Sequence, residues 1–269
     1  MEKIENDEIA FLSRKILELN KQLIESEKAK SRFLSLVASE LNNPMTAILG
    51  MIPHLAPVGG DLRKEIFALV HEEALLLDFR IHNLVAAAEI ESGNIDLTYA
   101  LVDPKVLVEE AIEAFKYRIK EKNITVSVNT TLLEKIVSDP KKLYLIIKNI
   151  LGNACDYGLE DEVVHVGISQ NGSEMIIAIK NQGEAPKVEF KPQVFTRFAH
   201  GPEGNHGLGL GLSVAREFCE RMDGKIDYSN DETSVTFVIT LPLQMAFPDS
   251  EACGSNEFLF ESFDDAIEL

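Results

Sequence analysis

Apolar positions in the first ninety residues recur at helical spacing. Leu12, Ile16, Leu19 and Leu23 step by 4, 3 and 4, and Phe33, Val37, Leu41 and Ile48 continue a helical face. This period predicts a long helix with a coiled-coil-like start. "APVGGD" (Ala56 to Asp61) interrupts it with one proline and two glycines. Beyond the break, Val70, Ala74, Leu77, Ile81, Leu84 and Ala88 step by 4, 3, 4, 3 and 4, so a second long helix should run back along the first. Two helices cannot cover the apolar stripe of such a hairpin. Pairing of two copies into a four-helix bundle is the economical way to bury it. Pro44 lacks an N–H and crowds the preceding turn, so a kink is expected there.

The texture changes after "ESGN" (Glu91 to Asn94). Asp103 to Lys120 patterns as an amphipathic helix opened by Asp-Pro, and "ITVSVNT" (Ile124 to Thr130) alternates as a strand. "DPKKLYLIIKNILGNACDYG" begins a further helix with an Asp N-cap and Pro in its first turn. "VVHVGISQ" and "EMIIAIKN", joined by Asn-Gly, predict a β-hairpin from Val163 to Asn181. A glycine-rich loop leads to a helix over Leu212 to Arg221, and "KIDYS" and "SVTFVITLP" form another strand pair. The expected class is α+β: an antiparallel helical hairpin, then an α/β sandwich whose sheet is mixed, mostly antiparallel and covered by helices.

Composition narrows the function. With 269 residues, 45% of them hydrophobic, the chain can bury two modest domains with appendages. Its formal charge of −18 opposes nucleic-acid phosphates and anionic membranes, which leaves proteins, or a ligand in a locally adapted pocket, as partners. No apolar run approaches the roughly 18 to 20 residues of a bilayer span, and "MEKIENDEIAF" lacks the order of a signal peptide, so a cytoplasmic location is expected. Cys155, Cys219 and Cys253 are isolated and read as small apolar residues of a reducing compartment. The last 26 residues, Gln244 to Leu269, hold seven acidic residues, no basic one and four phenylalanines. Two readings of this tail stand: a solubilising extension, or a segment that docks through "FLF".

Four motifs occur in order: "NILGNACDYG", "KNQGEAP", "VFTRF" and "GNHGLGLGLSVAREF". Behind a helical hairpin, this set resembles the transmitter region of a bacterial two-component sensor histidine kinase, from about Ser31 to Pro242. The resemblance implies a dimerisation and histidine-phosphotransfer domain over 31–94 and a Bergerat-type ATP-binding domain over 95–243, preceded by a coiled-coil extension or linker (1–30) and followed by the tail (244–269). It implies Mg-ATP as cofactor and phosphoryl transfer to a histidine and on to a response regulator.

In the acceptor segment, Ser39 stands where the family resembles Ser-His-Glu-Leu. At 100° per residue, Ser39 points about 200° away from both Val37 and Leu41, so the position is presented to solvent. A hydroxyl is a weak nucleophile without a base, and its phosphate ester is a poor donor. By resemblance, Glu40 matches the family's acid/base residue, and Glu40 with Asn43 fits the E-x-x-N spacing that helps water attack a regulator's phosphoaspartate. Ser39 and Asn43 share a helix face; an exposed helix asparagine before Pro44 is the plain alternative.

For the nucleotide, the resemblance assigns Asn153 to Mg²⁺, Asn149 to the phosphates, Asn181 and Gly183 to adenine, Phe195 and Phe198 to the lid anchor, and Gly207, Gly209 and Gly211 to the phosphate loop. Three departures weigh against tight binding. Asn181 replaces a carboxylate and offers one acceptor oxygen, Ala185 replaces a glycine, and Asp156 brings negative charge where the family often has Lys or Arg. The expectation is a degenerate histidine-kinase-like signalling protein, homodimeric, that binds a response regulator or another histidine kinase, with nucleotide as a conformational ligand. The alternatives are a kinase that uses Ser39 or another acceptor, and a regulator phosphatase that uses Glu40 and Asn43.

Overall fold

The computed structural model describes residues 15–21, 24, 37, 41–55, 60–93, 95–132, 134–183, 195, 209–231 and 233–243. Ser39, Glu40, Ala185, Phe198, Gly207, Cys253 and the acidic tail lie outside them. The chain divides into two compact units, Met1–Leu77 and Asp78–Leu269. This division falls inside a helix, upstream of the 94/95 boundary that the change of texture suggested.

In the first unit, residues 15–21 and 41–55 are helical; the latter stretch is α1. Pro44 is buried in the first turn of α1, and the residues immediately before Leu41, where a kink would fall, lie outside the described part. Helix α2 (Gly60–Ser92) starts on a glycine with φ of 62°, a left-handed value that suits the turn expected at "APVGGD". Its 33 residues span about 50 Å, so its last turns, from Asp78, belong to the second unit.

The second unit follows the order β1 (Ala100–Val102), α3 (Pro104–Ala114), α4 (Lys116–Glu121), β2 (Thr125–Thr130), β3 (Ile136–Ser138), α5 (Pro140–Tyr157), β4 (Val163–Asn171), β5 (Glu174–Gln182), α6 (Gly211–Arg221), β6 (Lys225–Asn230) and β7 (Ser234–Pro242). Five strands form one sheet in the order β2-β4-β5-β7-β6, with β2 parallel to β4 and the other neighbours antiparallel. The inward positions of the alternating strands, Val164, Val166 and Ile168 on β4 and Met175, Ile177 and Ile179 on β5, are buried. They meet Leu107 and Val108 of α3, Leu143, Ile146, Ile147 and Ile150 of α5, and Phe218 of α6 in one core. This is the expected class: helices over a mixed, mostly antiparallel sheet.

Three local features differ from the sequence pattern. The helix expected over Asp103 to Lys120 is two helices, because Phe115 turns the chain (φ −106°, ψ 12°) and its N–H bonds Ile112 one residue short of helical register. The Phe115 ring is buried, edge-on to Phe79 at 5.7 Å between centroids, and a side chain at Gly152 would press on it. Strands β1 and β3 form a separate antiparallel pair; at three residues each they are too short to show a period. Late in α2, Asn83, Ala86 and Ala87 are buried while Ile81 and Ala88 of the predicted stripe are exposed, because contacts to α3 and α5 draw the opposite face inward.

Asp139 shows why α5 starts where it does. Its Oδ1 accepts from Lys142 N at 2.9 Å, a helix N-cap, and its Oδ2 accepts from Thr98 N at 2.8 Å, which fixes the approach to β1. Among the described residues, no helix is long and apolar enough to cross a membrane.

Candidate functional site

Helix α5 is the spine of the candidate site. Asn149, Asn153 and Tyr157 are four residues apart along it, so the first and last lie about 12 Å apart along the axis. The two flanking glycines approach the two ends. Gly211 opens α6 against Asn149, where a Cβ would overlap Asn149 Oδ1. Gly183, just beyond β5, sits against the Tyr157 carbonyl, where a Cβ would overlap backbone that cannot move aside, and its φ of 156° also favours glycine. Asn153 lies between these contacts, half-buried, and its side chain makes no hydrogen bond to another described residue.

At the Gly211 end, no side chain among the described residues caps the helix. Leu210 occupies the N-cap position without a side-chain hydrogen bond, and Gly209 has a left-handed φ of 62°. Ser213 Oγ donates to the Leu210 carbonyl at 2.8 Å instead of accepting from an amide. The N-terminus of a helix favours an anionic group, and no side-chain cap among the described residues competes for the first amides of α6. Asn149, assigned to the phosphates by resemblance, is held by its own contacts. It is 4% exposed, and its Nδ2 donates to Leu145 O at 2.9 Å and to Asn83 Oδ1 at 2.8 Å.

At the Gly183 end, Asn181 is buried in β5 and its Nδ2 donates to the Gln182 carbonyl at 3.2 Å, which leaves Oδ1 as the acceptor. Gly183 N donates to Thr233 O at 2.9 Å and Leu159 N to Gln182 O at 3.1 Å, so the end of β5 is stitched to both β7's turn and the exit of α5. Phe195 is buried against β6 and β7, with ring centroids 6.2 Å from Tyr228 and 6.4 Å from Phe237. Asn43 is exposed on α1 in the first unit.

The charge at Asp156 is answered in the structure. Arg118 of α4 donates to its carboxylate, and Lys122 Nζ donates to the carbonyls of Cys155 at 2.9 Å, Asp156 at 2.6 Å and Gly158 at 3.3 Å. A basic pair thus covers the negative end of the α5 dipole. Sequence reasoning did not single out Arg118, Lys122 or Asn83; they come from elements remote in sequence, and no local motif marks them. Cys155 and Cys219 are buried thiols, and burial pushes Cys155 up to about 12 and Cys219 higher, so neither is a nucleophile. Among the described residues, no group of three or more His, Cys, Asp or Glu could hold a metal.

An adenine nucleotide with a hard cation fits these residues in kind. There is a helix N-terminus without a side-chain cap among the described residues for phosphate, a carboxamide oxygen at Asn153 for the cation, and one acceptor oxygen at Asn181 for an amino group.

Comparison with known proteins points to one family and fold. Residues 138–245 match the family described as histidine kinase-, DNA gyrase B- and HSP90-like ATPase. The sensor protein EvgS of Escherichia coli (strain K12) is 28% identical over 242 residues, covering 86% of this chain and 20% of EvgS; the chain thus spans about a fifth of that relative. The histidine kinase AdeS of Acinetobacter baumannii shares the fold, with a TM-score of 0.55 at 21% identity over 76% of this chain and 98% of the AdeS chain. A histidine kinase ThkA solved in complex with the response regulator protein TrrA does so too, with a TM-score of 0.53 at 22% identity over 82% of this chain and 64% of that one. The second unit therefore contains a histidine-kinase-type ATPase domain. With the helices that precede it, the chain is similar to a histidine kinase transmitter region.

Proposed function

We propose that this transmitter binds Mg-ATP between the ends of β5 and α6, does not phosphorylate a histidine at its acceptor position, and signals by binding a response regulator or another histidine kinase. The observation that carries the nucleotide half is the convergence of Gly183 and Gly211 on α5 with Asn153 between them. Asn153 Oδ1 would ligate the cation, the α6 amides would receive the phosphates, and Asn181 Oδ1 would accept from the adenine amino group. In a transmitter with a histidine acceptor, the nucleotide supplies the γ-phosphoryl group. Here position 39 carries a serine, whose hydroxyl has no neighbouring base other than Glu40 in sequence.

The partner half rests on the retained hairpin and on ThkA, a fold neighbour captured with a response regulator. A second copy of this chain is the partner that would cover the hairpin's apolar side chains; Leu49, Leu62 and Phe67 are 61%, 51% and 62% exposed. Calorimetric titration of Mg-ATP and Mg-ADP into the wild type and Asn153→Ala tests the nucleotide half, and binding is expected to vanish in the variant. Equal binding by both would refute the assignment of Asn153. Incubation with γ-labelled ATP tests the second half; acid-labile phosphate on the protein, the mark of phosphohistidine, would refute it.

A further inference from the structure

Asn149 does not hold its orientation alone. On α2, Asn83 is buried, and its Nδ2 donates to the Phe79 carbonyl at 3.1 Å, one turn back on its own helix. That bond commits the Oδ1 of Asn83 as an acceptor, and Asn149 Nδ2 donates to it at 2.8 Å. The second N–H of Asn149 goes to Leu145 O at 2.9 Å. Two helix carbonyls therefore set the sense of a carboxamide relay that runs from Phe79 through Asn83 to Asn149. At its far end, Asn149 Oδ1 lies where a side chain on Gly211 would have to sit. Turning the Asn149 amide over would set its oxygen against two acceptors, Leu145 O and Asn83 Oδ1, and leave two buried N–H contacts unmade.

The surrounding contacts hold α2 in place for this relay. Glu89 and Lys142 form an ion pair at 2.7 Å, and Lys148 Nζ lies 4.8 Å from the centre of the Phe79 ring and 5.6 Å from that of Tyr144. Phe79, Asn83 and Glu89 on α2 face Lys148, Asn149 and Lys142 on α5, so the two helices run antiparallel along this seam.

We infer that Asn83 is a positioning residue for the nucleotide site: it makes Asn149 present an oxygen, not an NH₂, to the first turn of α6. Asn149 then contributes an acceptor, suited to a backbone amide of that turn or to water on the cation, and does not donate to phosphate. The end of the hairpin's second helix thereby sets the donor and acceptor pattern of the cleft. This rests on the nucleotide reading above.

Two measurements test it. In the nucleotide-free wild type, ¹⁵N NMR should show the two Asn149 side-chain amide protons as inequivalent and slow to exchange. Asn83→Leu, close in volume but without an acceptor, should make that pair exchange fast. In calorimetry the same variant should bind Mg-ADP about tenfold more weakly, the size of one hydrogen bond, while Asn83→Gln, which keeps both the N–H for Phe79 O and the acceptor oxygen, should stay within about twofold of wild type. Unchanged Asn149 amides in Asn83→Leu, or unchanged affinity where the wild type binds, would overturn the role of Asn83 and leave the nucleotide reading standing. A wild type that binds no nucleotide would overturn that reading and this inference with it. Should Asn83→Leu not fold, the wild-type amide exchange and the affinity of Asn83→Gln decide: fast exchange, or loss of binding in Asn83→Gln, refutes the relay.

Discussion

At the scale of single residues, the site is shaped by where a side chain would not fit. Gly183→Ala would drive a methyl group into the backbone carbonyl of Tyr157, at a φ that L residues seldom adopt. A loss of about 2 kcal/mol in stability is expected, visible as a lower denaturant midpoint, together with weaker nucleotide binding. An unchanged midpoint would mean that the β5 exit relaxes freely. A second residue-scale prediction concerns His82 on α2, whose Nδ1 lies 3.3 Å from Asp78 Oδ2. Hydrogen bonding to Asp78 raises the imidazole above its usual 6.5, against burial and the charge of Lys148, and the same pairing lowers Asp78. A group raised on folding stabilises fully below its unfolded value and a lowered carboxylate above its own, so this contribution is present between the ordinary Asp and His values, about pH 4 to 6.5, fades as pH climbs through the raised His82 value, and is lost as pH falls through the lowered Asp78 value. Both partners are about half exposed, so the effect on stability is small. The NMR titration is the sensitive probe: Asp78→Asn should bring the His82 midpoint down, and a midpoint that does not move would remove Asp78 as the cause.

At the scale of elements, helix α5 depends on groups at both ends that come from elsewhere in the chain. Asp139 caps its start and holds Thr98, and Lys122 collects three carbonyls at its exit. Asp139→Ala should cost about 1 to 2 kcal/mol, with the β1 approach loosened as well, and hydrogen exchange at the amides of Thr98 and Lys142 would report both effects. Exchange that stays slow at both amides would argue against the double cap. The cap itself was legible, since Asp-Pro before an apolar run marks a helix start with a physical reason. So were the β4–β5 hairpin, from its Asn-Gly turn, and the strand pair β6 and β7, from their alternation. The break at Phe115 was not, because the pattern on either side is helical and the cause is a ring buried against Gly152 and Phe79. Nor was the burial of Asn83: a period gives a stripe, but the choice of covered face belongs to α5, sixty residues on.

At the scale of the whole molecule, charge and apolar exposure pull against each other. The chain carries 44 acidic and 26 basic residues, so two copies repel, while exposed Leu49, Leu62, Phe67 and Leu69 favour association. Apolar contact is short-ranged and indifferent to salt, whereas the repulsion is screened within about 8 Å at physiological ionic strength. The proposed dimer should therefore tighten as salt rises, the reverse of a nucleic-acid binder, whose affinity falls with salt. Analytical ultracentrifugation across a salt series would measure this directly. A two-fold interface uses each residue twice, so Phe67→Asp removes two aromatic contacts and adds two charges. A burial of about 150 Å² per ring at 25 cal/mol per Å² gives several kcal/mol for the pair, enough to raise the dimer dissociation constant at least about a hundredfold. A wild type that sediments as a monomer at every salt concentration would refute the dimer. A Phe67→Asp variant that dimerises as well as wild type would keep the dimer and move its interface off this part of α2.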